Sequence, residues 1–215
     1  MGYYLHYETC CRNGLIDNLA NPTSDGISIL AIIPDPSIGQ NSTPDFGDYP
    51  NDAYFCVNNI KYFTWPVTDP DGDSLVFSLV APLDDGTNPN NGNSAPGSGG
   101  YPFYPSCNFA PGFNQFNVIG GSPQMTINSV TGEITASPAM IGYFQFSVRV
   151  EEYRNGVKIG EVRRDAQYAS LPCILANPPV ISLNNNVASS ALDTFSVDVY
   201  VNDSICFDLE VGVND

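Results

Sequence analysis

The densest group of chemistry-bearing side chains in this 215-residue chain is Thr68-Asp69-Pro70-Asp71-Gly72-Asp73-Ser74-Leu75. Aspartates at alternate positions around a glycine offer several hard oxygen ligands to one Ca2+, which takes about six to eight at roughly 2.3–2.6 Å. The stretch is not an EF-hand loop, because the required downstream Glu is absent and the flanks read as strands. Its plain alternative is a polar β-turn joining 62–67 to 74–79. Glu151 and Glu152 are a second carboxylate pair, but adjacent strand residues point to opposite faces and cannot flank one glycosidic bond. They read as a solvated hairpin end, with Glu152 free to join a calcium site. Arg149, Arg154, Lys158, Arg163 and Arg164 lie on the same hairpin, where cross-strand pairing with Glu151, Glu152 and Glu161 accounts for them. The segment 101–113 is rich in aromatics, Pro and Gly. Tyr101, Phe103 and Tyr104 there suit stacking on sugar rings, or else closure of a β-sandwich end. His6 is the single imidazole, and neither a Gly-x-Ser-x-Gly elbow nor a phosphate-binding glycine loop occurs, so no catalytic residues are assigned.

Six cysteines, Cys10, Cys11, Cys56, Cys107, Cys173 and Cys206, are the remaining reactive groups. No Cys-x-x-Cys is present and one His cannot complete a zinc finger, so disulfides are expected; six cysteines allow about 15 pairings and spacing does not choose among them. Disulfides place the chain outside the cytosol. Residues 1–6 lack the basic and apolar regions of a signal peptide, so export is expected to rest on a longer parent chain. With Lys+Arg 7 against Asp+Glu 23, the formal charge is −16, which excludes nucleic acid and anionic membrane surfaces as partners. No run of about 18 apolar residues is available to span a bilayer.

The elements that must position these groups are strands. From Tyr143 to Tyr153, Phe144, Phe146, Val148 and Val150 alternate with polar residues, a period of two. Asn155-Gly156 then marks a type I′ hairpin turn before 157–159. Further strands are expected at 27–33, 53–57, 61–67, 74–80, 115–118, 124–128, 133–136 and 195–201. Helical periodicity is nearly absent, and short strands between turn signals point to antiparallel sandwiches. Segments 34–46 and 176–181 read as linkers, and 84–100 as a long surface loop. Arg12-Asn13-Gly14 recurs 142 residues later as Arg154-Asn155-Gly156, and Val57-Asn58 recurs 144 residues later as Val201-Asn202. The expected organisation is therefore the last strands of a preceding repeat at 1–40, a complete repeat at 41–175 and the first strands of a following one at 176–215.

The segments VTDPDGDSLVFSL (67–79) and MTINSVTGEITASPAMIGYFQFSVRVEEYRNG (125–156) resemble cadherin-like and PKD-like immunoglobulin-type repeats of large bacterial surface proteins. CCRNGLIDNLANP (10–22) and VEEYRNGVKIGEVRRD (150–165) are similar, more particularly, to repeats of gliding-motility-associated adhesins of Bacteroidota, which leave the cell by type IX secretion. The resemblance covers nearly the whole chain. It implies an all-β, immunoglobulin-like or cadherin-like antiparallel sandwich with partial flanking modules, and a non-enzymatic structural repeat of a secreted adhesin on the bacterial cell surface. Its partners would be neighbouring repeats of the same chain, and surface polysaccharide or other surface proteins. It also implies a calcium site at Asp69 and Asp71, with Asp73 beside them and Glu152 at the strand end. The Leu-Asp-Arg-Glu run and the Asp-x-Asn-Asp-Asn linkers of true cadherins are missing, which limits the expectation to a single site. The alternative function is a carbohydrate-binding module using Tyr101, Phe103 and Tyr104.

Overall fold

The computed structural model describes residues 2–84 and 104–173, together with the backbone of two further strands, Val180–Leu183 and Leu209–Gly212. Tyr101, Phe103, Cys206 and the strand expected at 195–201 lie outside the described residues. The chain divides into two units, Met1–Pro172 and Cys173–Asp215.

The first unit is all-β. Its strands are β1 (Tyr3–Thr9), β2 (Ile27–Ile33), β3 (Tyr54–Cys56), β4 (Lys61–Thr64), β5 (Ser74–Val80), β6 (Thr126–Ile127), β7 (Glu133–Ala136), β8 (Gly142–Arg154) and β9 (Val157–Leu171), with one short 3-10 turn at Pro36–Ile38. β1, β2, β9, β8 and β5 form one antiparallel sheet in that order, to which β3 adds by pairing in parallel with β9. β4, β7 and β6 form a second antiparallel sheet. In the second unit β10 (Val180–Leu183) pairs antiparallel with β11 (Leu209–Gly212). Among the described residues no helix is long and apolar enough to cross a membrane.

The sheets close on one core because the period of two in β8 puts Phe144, Phe146, Val148 and Val150 on one face. They meet Ile134 and Ala136 of β7, Phe77 of β5, Phe55 of β3 and Ala166 and Tyr168 of β9. Trp65 stacks on Phe146 at 5.8 Å between ring centroids and donates its indole N–H to the Tyr168 hydroxyl at 3.1 Å. Each such side chain withdrawn from water contributes about 1.5–3 kcal/mol, and the indole's one polar group is satisfied, so burial leaves no offsetting loss.

The opposite face of β8 is also covered, and here the first 40 residues matter. Asn18 is wholly buried; its amide donates to the carbonyls of Gln145 (2.8 Å) and Val118 (3.1 Å) and accepts from the Gln145 N–H (2.9 Å). Asp17 exchanges hydrogen bonds with the Tyr143 backbone in the same way. These contacts satisfy the edge of β8 that β5, ending opposite Ser147, leaves open. Arg12, also buried, pairs with Asp165 at 2.7 Å. Residues 1–40 and 41–172 thus fall within the same compact unit, Met1–Pro172. The Arg12-Asn13-Gly14 and Arg154-Asn155-Gly156 triplets are built differently. Asn155 and Gly156 take positive φ (53° and 78°) in the hairpin turn, as expected, whereas Asn13 and Gly14 do not. The segment expected as a strand at 115–118 is instead a tight turn closed by Asn114 and Asn117.

Candidate metal centre

Two elements bring three carboxylates together at one end of the sandwich. The first is the connection from β4 to β5. Asp69 Oδ1 accepts the backbone N–H groups of Asp71 and Asp73, each at 2.9 Å, so the local turn is closed by the side chain itself. Gly72 supplies the positive φ of 80° that the turn needs. Only one Asp69 oxygen is spent on this, and Oδ2 is left buried without a hydrogen-bond partner.

The second element is β8. Glu152 continues the even-numbered stripe of Phe144, Phe146, Val148 and Val150, so it points inward beyond the last apolar layer. It is 0 % exposed, and neither carboxylate oxygen has a hydrogen-bond partner. Its cross-strand neighbour on β9 is Gly160. A Cβ at that position would collide with Glu152 Oε2, so glycine makes the room the carboxylate occupies. The ladder shifts register directly after this pair, between Glu152 and Tyr153.

Ligand oxygens of Asp69, Asp73 and Glu152 all lie within 4.8 Å of one another. This cluster could hold a metal ion. Burial, opposed by the nearby Asn41 amide but reinforced by the Asp73 and Asp69 carboxylates, pushes the Glu152 carboxyl up to about 7. Asp73 moves the other way: the hydrogen bonds from Arg154 hold it below the usual range. Arg154 donates from Nε (2.8 Å) and Nη2 to the two Asp73 oxygens, from Nη2 to Asn41 Oδ1 (2.7 Å) and from Nη1 to the Gln40 carbonyl (3.1 Å). Three carboxylates against one guanidinium leave two negative charges when all are ionised, the charge of one divalent cation.

The donor set is all oxygen, with neither thiolate nor imidazole, which suits a hard cation such as Ca2+ or Mg2+ rather than zinc. Asp69 Oδ2 and the two Glu152 oxygens stand ready; Asp73 and Asn41 are shared with Arg154, leaving further positions to water. Burying an unpaired carboxylate costs several kcal/mol, so the group must take up either a proton or a cation.

The four residues named from the sequence therefore divide. Asp69, Asp73 and Glu152 converge. Asp71 lies outside the cluster, its carboxylate accepting the Ser42 N–H. The sequence reading missed Arg154, which it paired with hairpin glutamates; Lys158 (2.5 and 2.6 Å) and Arg163 (2.8 Å) do make such pairs with Glu151 and Glu161. The signal available was parity, since Glu152 and Arg154 share a face of β8 and only Glu152 had been considered there.

The other predicted positions scatter. Tyr104 is stacked on His6 at 4.0 Å, its hydroxyl 3.0 Å from Nδ1, so its ring is engaged within the fold. Cys10 and Cys11 are bonded to each other, Cys56 and Cys173 are each disulfide-bonded, and Cys107 is a buried free thiol pushed up to about 12 chiefly by burial. No protein-family model, no curated protein and no solved structure matches the chain.

Proposed function

We propose that this chain is a non-enzymatic structural repeat of a large secreted adhesin on a bacterial cell surface, of the gliding-motility type, and that one calcium ion stiffens it. The observation that carries the reading is the buried cluster of Asp69 Oδ2 and both Glu152 oxygens, without hydrogen-bond partners, at one end of the sandwich. A cation there ties the β4–β5 turn to the end of β8, and through Asn41 and Arg154 to the segment at 40–42. Calcium is favoured over magnesium because the ligands come from separate, irregular segments, and its coordination tolerates such geometry while magnesium demands a near-regular octahedron. The disulfide-bonded Cys56 and Cys173 support an extracellular setting, and the immunoglobulin-like or cadherin-like character of the sandwich is part of the same proposal. Neighbouring repeats of the parent chain are the partners such a spacer requires.

The test is thermal melting of the chain in EDTA, in Ca2+ and in Mg2+, with Glu152→Gln in parallel. A free-ion level of about 100 times Kd adds roughly 2.7 kcal/mol, a rise of several degrees in Tm for a unit of this size. The rise is expected with Ca2+ in the parent and not in Glu152→Gln. An unchanged midpoint in the parent removes the metal from the proposal.

A further inference from the structure

We infer that a cleft on the outer face of the larger sheet, remote in sequence from the carboxylate cluster, binds a neutral, hydroxyl-rich oligosaccharide. The cleft opens because β2 pairs with β9 only at Ala31↔Val162 and Ile32↔Glu161. The same register would set Ile27 and Ile29 against β9 further along, but the strands part there, and β9 is not paired on that side again until β3 meets it at Ala169. The gap encloses about 360 Å3, within the range of small-ligand sites of roughly 300–1,000 Å3.

Its floor is built from planar polar side chains. Gln145 of β8 and Gln167 of β9 are direct cross-strand partners, and both line the cleft. Gln145 is only 4 % exposed, and among the described residues neither glutamine makes a side-chain hydrogen bond. Gln167 is half-buried, so the two amides stand side by side at the cleft with donors and acceptors that no protein group takes up, a place where a ligand can complete the network. Asn13 adds a third amide, and Asp165 presents its carboxylate in a direction fixed by Arg12 at 2.7 Å. Tyr49 lines the wall, with the Arg164 guanidinium at 4.0 Å over its ring, so the ring is held in place before any ligand arrives. Ile27 and Ile29 continue that wall as apolar surface.

Adjacent amides that both donate and accept, a fixed carboxylate, and aromatic and aliphatic surface match a sugar ring, which carries hydroxyls at its rim and C–H groups on its faces. The charges select among sugars. Arg12 spends Nη2 on Asp165 and the Leu83 carbonyl (2.8 Å) and keeps Nε without a partner, so selection against an acidic glycan rests on the Asp165 carboxylate in the cleft and the formal charge of −16. An inserted peptide strand is disfavoured because one backbone acceptor of the open stretch of β9, the Asp165 carbonyl, is already taken. The Tyr49 hydroxyl donates to the Asp165 carbonyl at 2.5 Å, and Arg164 donates to the carbonyls of Phe46 and Gly47. The inference stands apart from the calcium proposal, and its site is distinct from the 101–113 loop.

Titration calorimetry of the whole chain in EDTA, against cellohexaose, xylohexaose, maltohexaose and mannohexaose, tests it. Polygalacturonate and a blocked Thr-Val repeat peptide serve as comparisons. At least one neutral oligosaccharide is expected to bind. Gln167→Ala, which removes no side-chain hydrogen bond, and Asn13→Ala, which removes only the local bond from the Leu15 N–H (3.1 Å), are each expected to weaken it roughly tenfold, and Tyr104→Ala to leave it unchanged. Absence of binding by all four sugars overturns the inference. So does undiminished binding in both cleft variants, loss in Tyr104→Ala alone, or binding of the peptide or the acidic polymer in their place.

Discussion

Glu152 and Glu161 lie within one hairpin, yet their surroundings drive them in opposite directions. Burial acts on both. At Glu152 it acts together with two nearby carboxylates. At Glu161 it is outweighed by hydrogen bonds from Lys158 and Arg163, and the carboxyl falls below its ordinary 4.5. A carboxyl depressed by folding stabilises the native state fully above its unfolded pKa. That contribution fades as pH falls from 4.5 through the lower folded value. Glu161→Gln is therefore expected to cost on the order of 2 kcal/mol at pH 7 and to flatten the loss of stability below pH 4.5, read by urea denaturation across pH 3–7. An unchanged acid limb in the variant would mean that other carboxylates carry it.

At the level of elements, the β8–β9 hairpin positions the cluster, and its weak point is Gly160. Gly160→Ala puts a methyl group where Glu152 Oε2 sits. It is expected to lower stability by about 1–3 kcal/mol and to reduce Ca2+ affinity as well, whereas a substitution at exposed Val157 changes neither. The urea midpoint and a calcium titration read the two effects separately. Much of this hairpin was legible beforehand, because Phe144 to Val150 alternate cleanly and Asn155-Gly156 admits one turn type. β2, β5 and β7 begin and end where their patterns begin and end. β1 was not legible: Tyr3, Tyr4, Leu5 and Tyr7 are all exposed, so no alternation marks a buried face. β9 was expected to be short because the charged run 161–165 conceals its inward stripe, and those charges are taken up by one another and by Arg12. Asp69 and Asp73 were read from spacing alone. That Arg154 clamps Asp73, leaving Asp69 and Glu152 to a cation, depends on a contact across 81 residues that no local pattern encodes.

At the level of the whole molecule, strand direction sets how the larger unit answers a pull along its length. β1 is antiparallel to β2 and β2 to β9, so β1 and β9 run the same way. Tyr3 is level with Ile33, beside the Glu161 end of β9, while Leu171 lies ten residues, or roughly 30 Å, further along the strand. Tension between Tyr3 and Leu171 therefore runs parallel to the strands and loads the rungs of the β1–β2 ladder and the two β2–β9 rungs, Ala31↔Val162 and Ile32↔Glu161, in shear. Tension between residues 142 and 171 instead peels the β8–β9 ladder from its open end one rung at a time. Single-molecule stretching is expected to need a markedly higher force in the first geometry than in the second, and equal forces would assign the resistance elsewhere. A chain arranged in this way behaves under load as a tether that yields abruptly, not as a spring that lengthens by degrees.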